Sequence, residues 1–116
     1  MPRDRAERDR QAIQDMLAAM HDARKHVAGI DKAEAKPATH HYDAALYRVL
    51  VVGEAATRIS MELREQHADI PWTDIIGMRN IVIHGYEKVD WDVVWESIQN
   101  EFPALEKQLL NILQRI

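Results

Sequence analysis

Residues 79 to 86 read Arg-Asn-Ile-Val-Ile-His-Gly-Tyr and gather four chemically active side chains into one short stretch. Arg79 offers a planar guanidinium that can hold a phosphate through paired hydrogen bonds. His84 can move a proton near neutral pH. Asn80 can orient a neighbour or contact a substrate, and Tyr86 carries a hydroxyl one residue past Gly85. Together these are the parts needed to cleave RNA without a metal: an arginine on the scissile phosphate and a histidine as general base or acid. The products would be a 2′,3′-cyclic phosphate and a 5′-hydroxyl. Four residue types do not by themselves establish that activity. The bland reading pairs Arg79 with an acid and has His84 cap a helix C-terminus, where the dipole favours a cation. On composition alone that structural reading is the stronger of the two.

The elements that must position these groups are helical. The chain of 116 residues has an apolar fraction of 47 % and only four Gly and four Pro, a composition that suits one all-α domain spanning 1–116. Ile13, Met16, Leu17 and Met20 recur at the spacing of one helix face, predicting a first helix from about Arg5 to Val27 with Gly29 as its stop. The charged segment Ile30–His40, with Pro37, reads as a connection. A second helix is expected from about Tyr42 to Gln66, striped by Leu46, Val49, Leu50, Gly53, Ala56, Ile59 and Leu63. A third begins at Trp72 or Thr73, takes Ile75, Ile76, Ile81, Val82 and Ile83 as its apolar positions, and stops at a left-handed Gly85. Asp90 is a good N-cap for a last helical stretch through Trp91, Val94, Trp95, Ile98 and Phe102. Pro103 should kink or break it before Leu105–Ile116. The expectation is an up-and-down bundle of four helices, or five if Pro103 separates two.

Several classes are set aside. No cysteine occurs, so there is neither a disulfide nor a thiolate metal site. His40, His41, His21 and His26 lack metal-ligand spacing, so no metal or cofactor is expected. Trp72, Trp91 and Trp95 read as core or interface anchors, without the interleaved basic residues of a base-stacking platform. No apolar run reaches the length of a membrane span, and the charged start Met-Pro-Arg-Asp-Arg is unlike a secretory leader. A soluble cytoplasmic chain is the default expectation. The formal net charge is −4; residues 1–36 hold 8 basic and 7 acidic groups, and residues 37–116 hold 7 and 12. That balance opposes broad nucleic-acid binding, so any RNA contact must be local.

The spacing Arg-Asn-x-x-x-His-x-Tyr resembles the signature of HEPN-domain proteins, specifically the HepT-like toxins encoded beside a minimal nucleotidyltransferase. The resemblance extends to Val-Gly-Glu-Ala at 52–55, to Ile-Pro-Trp-Thr-Asp-Ile-Ile-Gly-Met-Arg-Asn at 70–80 and to Val-Asp-Trp-Asp-Val-Val-Trp at 89–95. It covers about 43–109 well and 8–28 weakly, and the connection at 29–41 shows no clear match. It implies a HEPN-like bundle and a homodimer or higher oligomer. It also implies a metal-independent ribonuclease toxin acting at a composite cleft on RNA, with Arg79, Asn80 and His84 as catalytic residues. By the same resemblance Tyr86 would accept AMP from a cognate nucleotidyltransferase antitoxin, which silences the toxin. A non-catalytic helical subunit, or modification acceptor, of a nucleotidyltransferase is the alternative.

Two further expectations concern packing. Glu54, in Val-Val-Gly-Glu-Ala-Ala, reads as a buried supporting carboxylate in need of a partner, with Arg79 as the candidate and Arg58 as the local alternative. Gly53 would let another helix approach closely. Five residues turn a helix through about 500°, leaving Arg79 and His84 about 140° apart. Arginine reach, fraying before Gly85, or the pooling of two copies could each close that gap.

Overall fold

The structure, a computed structural model, describes residues 2–116. Its helices are α1 (Pro2–His26), α2 (His40–Thr57), α3 (Met61–Gln66), α4 (Trp72–His84), α5 (Trp91–Glu96) and α6 (Phe102–Arg115). A 3₁₀ turn covers Tyr86–Lys88, and a π turn over Ser97–Glu101 joins α5 to α6. The last two helices therefore run on as one body, and the fold is an all-α bundle of five. Helix α1 packs against α2 on one side and α6 on the other, and α2 in turn packs against α4.

Burial follows the apolar stripe of α1. Ile13, Met16 and Met20 are fully buried, joined by Ala12, Ala19, Ala23 and Val27, while Leu17 sits at the edge of the core. Helix α1 ends at His26, and two tightened bonds, Val27 N–H to Arg24 O and Ala28 N–H to Lys25 O, close its last turn. Gly29 then takes a left-handed φ of 77°, as its place after a helix favours. The connection leads to Thr39, whose hydroxyl oxygen accepts from Tyr42 N–H and caps α2.

The expected long second helix is two helices. The chain breaks at Arg58–Ser60 because Ser60 caps α3, its Oγ accepting from Leu63 N–H at 3.2 Å. Asp9, only 7 % exposed, accepts both Ser60 N–H at 2.8 Å and Ser60 Oγ–H at 2.6 Å. A continuous helix would need that N–H for its own ladder. Near Pro103 the disturbance is a widening rather than a break: the π turn ends where α6 begins, and Pro103 falls in the first turn of α6. Gly85 does stop α4, its N–H reaching Ile81 O at 2.8 Å, but with φ −149° it is not left-handed. The chain passes directly into the 3₁₀ turn, so the stop needs no glycine-only conformation.

Asp9→Ala would leave the partly buried N–H and hydroxyl of Ser60 without their acceptor. It should lower stability by about 1–3 kcal/mol in urea unfolding, and an unchanged midpoint would mean that α3 is held without this contact.

Candidate functional site

Helices α2 and α4 meet at Gly53. A Cβ placed there would lie 2.2 Å from Arg79 Cβ and 3.2 Å from Ile75 O, so only glycine admits the contact. The expected close approach is present, and its partner is the arginine itself. Arg79 is thereby rooted in the packing of two helices, while its head stays partly open with 26 % of the side chain exposed.

Two polar groups hold that head. Arg79 Nε donates to Glu54 Oε1 at 2.6 Å, and Nη1 donates to Asn80 Oδ1 at 2.6 Å. Glu54 is therefore the partner of Arg79, and Arg58 is engaged elsewhere, with Asp15 at 2.9 Å. Glu54 is not buried, however: 47 % of its side chain is exposed. Its apolar neighbours in sequence misled because one residue turns the helix by about 100°, which carries Glu54 out of the α2 core while Gly53 remains in it. An ion pair this open contributes only about 0–1 kcal/mol to stability. Its consequence is geometric: it orients the guanidinium and leaves Nη2 without a protein partner among the described residues.

His84 is the last residue of α4, exposed, and without a hydrogen-bond partner among the described residues. The helix is regular up to it, so fraying does not close the angle of about 140° to Arg79. Within one chain, Arg79, Asn80 and Glu54 are joined to one another, and His84 stands apart from them.

Tyr86 is exposed, as a residue past the helix end should be, yet it is held. Its hydroxyl donates to Asp43 Oδ1 at 3.2 Å, and its ring meets Tyr42 edge-on at 6.5 Å. Partial desolvation, and then the Asp43 carboxylate accepting its proton, keep the phenol above its ordinary pKa, so it stays protonated at neutral pH. Tyr42 meets Trp91 edge-on at 4.8 Å, and Trp91 meets Trp95 edge-on at 5.8 Å. Trp72 and Trp91 are core anchors, as expected, with Trp72 Nε1 donating to His67 O at 3.0 Å. Asp43 and Tyr42 were not singled out by the sequence. They lie 43 and 44 residues from Tyr86, and no local pattern marks the pairing.

Of the apolar positions expected on α4, Ile75 is buried, but Ile81 and Ile83 are 49 % and 43 % exposed. A groove of about 1090 Å³ runs between α4 and the α5–α6 body and is lined by neither Arg79, Asn80 nor His84. In a single chain His84 is exposed and the head of Arg79 partly so, both outside the lining of that groove. No helix among the described residues is long and apolar enough to cross a membrane.

The family model "Ribonuclease HepT-like" matches residues 16–112. Among similar proteins, one from Caldanaerobacter subterraneus subsp. tengcongensis, named "Putative RNase", is 45 % identical over 65 residues, which are 56 % of this chain and 58 % of that one. A Methanocaldococcus jannaschii protein, named "Gamma-glutamylcyclotransferase and putative RNase", is 35 % identical over 74 residues, 64 % of this chain and 33 % of its own. A Thermococcus cleftensis protein, named "Probable ribonuclease HepT", is 35 % identical over 63 residues, 53 % of this chain and 57 % of its own. The matches thus span between a third and three fifths of the length of these relatives. No solved structure matches the chain.

Gly53→Ala should be destabilising by about 1–3 kcal/mol, since the added methyl meets the root of Arg79 rather than a movable side-chain tip. Thermal unfolding measures it. A neutral Gly53→Ala would mean that α2 and α4 can separate at no cost.

Proposed function

We propose, since the chain belongs to the HepT-like ribonuclease family, that it is a cytoplasmic, single-domain endoribonuclease toxin that cleaves RNA without a metal. The observation that carries this reading is the fixed guanidinium: Arg79, braced by Glu54 and Asn80, presents its remaining edge at the surface. A phosphate there would accept charge-assisted hydrogen bonds from a donor already oriented. His84 would take the 2′-hydroxyl proton as that oxygen attacks phosphorus, or protonate the departing 5′-oxygen. Arg79 would stabilise the charge that develops on the phosphoryl oxygens. Asn80 and Glu54 would act through Arg79 by setting its direction.

The angle between Arg79 and His84 favours a site shared between two copies, in which the histidine of one serves the phosphate held by the other. Ile83 lies about 40° from Arg79 and one turn further along α4. It and Tyr86 are exposed apolar groups at this end of the helix, the kind of surface a two-fold contact would cover.

One specific observation favours the alternative, a non-catalytic subunit or modification acceptor of a nucleotidyltransferase: the net charge of −4 offers no broad RNA-binding surface. Activity of the purified chain separates the two. His84→Ala should cost about a hundred- to ten-thousand-fold in the rate of RNA cleavage. Arg79→Lys should also fail, because lysine keeps the charge and loses the fork, and cleavage should survive EDTA. Wild-type cleavage by His84→Ala would overturn the mechanism.

Silencing by AMP transfer to Tyr86 is the regulatory part of the reading. A nucleotide on this hydroxyl would sit just beyond His84, bring a phosphate that Arg79 could hold, and add negative charge. Co-expression with a cognate nucleotidyltransferase should add one or more AMP units, read by intact mass, and Tyr86→Phe should block the addition and stay toxic. A neutralised complex with unmodified Tyr86 would mean inhibition by binding alone.

A further inference from the structure

The groove between α4 and the α5–α6 body is separate from the Arg79 site. Ile81 faces it from a position about 160° around α4 from Arg79. Its floor is apolar, built from Ile75, Met78, Phe102 and Leu105, and Ile81 and Val93 stand in it 49 % and 54 % exposed. Gly77 also lines it, and a Cβ on Gly77 would meet nothing within 4 Å. A glycine inside a helix costs about 1 kcal/mol relative to alanine, and here no neighbour within the chain requires it. A glycine in open space on a groove floor admits the close approach of another helix.

The rim identifies the chemistry of that helix. The charged side chains lining the groove are Asp74, Asp92, Glu96 and Glu101, with no lysine or arginine among them. Lys32 engages Asp92 at 2.8 Å, and Asn100 donates to Glu96 at 2.8 Å. No cation pairs with Asp74, Glu96 or Glu101 among the described residues. An apolar trough with an acidic rim is complementary to an amphipathic helix whose apolar stripe is flanked by Lys and Arg. A second copy fits poorly. Seated symmetrically, it would set these acids against their own kind. Its own arginine-rich stretch, residues 3–10, carries no large apolar side chain to insert.

We propose that this groove docks a basic amphipathic helix of a partner protein. Gly77 and His84 lie seven residues apart, within about 20° of one face and about 10 Å along the axis. A helix lying in the groove would therefore extend toward His84 and bear on access to it. That last consequence rests on the ribonuclease reading; the docking does not.

The probe is a labelled synthetic helical peptide with Leu at i, i+3, i+4, i+7 spacing and Lys on its flanks, followed by fluorescence anisotropy against the full chain. Saturable binding is expected, weakening as salt is raised, with no binding of the peptide carrying Glu in place of Lys. Glu96→Lys combined with Glu101→Lys should weaken it roughly tenfold, and Ile81→Asp by at least as much, both variants retaining the helical circular dichroism of the parent. Binding unchanged in both variants, or none by the parent, overturns the proposal. So does a parent oligomer that Ile81→Asp dissociates, which would assign the groove to a second copy. A chain that binds the peptide and cuts no RNA overturns only the ribonuclease reading.

Discussion

Where α2 crosses α4 there is no room for a side chain on one of the two helices, and the position of the candidate arginine follows from that contact. The space a Cβ would need at residue 53 is occupied by Arg79 Cβ. The first carbons of Arg79 are thus set by backbone packing, which is stiff and cooperative with the core. The Glu54 ion pair and the Asn80 hydrogen bond then need to choose only the orientation of the fork. At about 0–1 kcal/mol an exposed pair could not hold a whole flexible arginine against its rotamer entropy. It can bias a side chain whose root is already fixed.

Helix α2 also references the other end of the motif. Its first turn carries Tyr42 and Asp43, which receive the ring and the hydroxyl of Tyr86. Tyr42 leads on through Trp91 to Trp95, so the turn beyond His84 is tied to α5 as well. Arg79 is located against the last turns of α2 and Tyr86 against its start. His84 lies between these two points with no side-chain hydrogen-bond partner among the described residues, so its surroundings are set by what approaches from outside.

How much of this was legible in the sequence depended on the range of the interaction. The apolar stripes of α1 and α2, the stop after α1 and the need for a small residue at Gly53 are local signals, and they match the structure; the stripe expected on α4 does not, since Ile81 and Ile83 are exposed. The split of the second helix was not legible, because it is enforced by Asp9 from 51 residues away. Ser60 itself, a good N-cap followed by Glu62, was the available sign. Glu54 was misjudged by its neighbours in sequence when the helical angle was the relevant measure. The Arg79–Glu54 partnership was within reach because both residues flank one helix crossing, whereas the seat of Tyr86 on Asp43 has no signature short of the fold. Residues 79–84 could be read as one motif, but not that the α-helix would continue to His84 and keep the two groups on different sides.

Charge is the remaining tension, since a chain of net −4 must admit a polyanion if it is to cut RNA. Geometry eases it. The acids that rim the groove lie on the flank of α4 away from Arg79, and a helix with its side chains is about 10–12 Å across. At physiological salt the Debye length is about 8 Å, so these acids are largely screened from a phosphate at Arg79. Glu54 is the acid bonded to Arg79, and its charge is already engaged by the Nε it orients. The guanidinium keeps donors directed outward, so a phosphate meets oriented hydrogen bonds at short range rather than the average field of the chain. Such a surface has little long-range attraction for RNA in general and can hold a phosphate only where Arg79 stands.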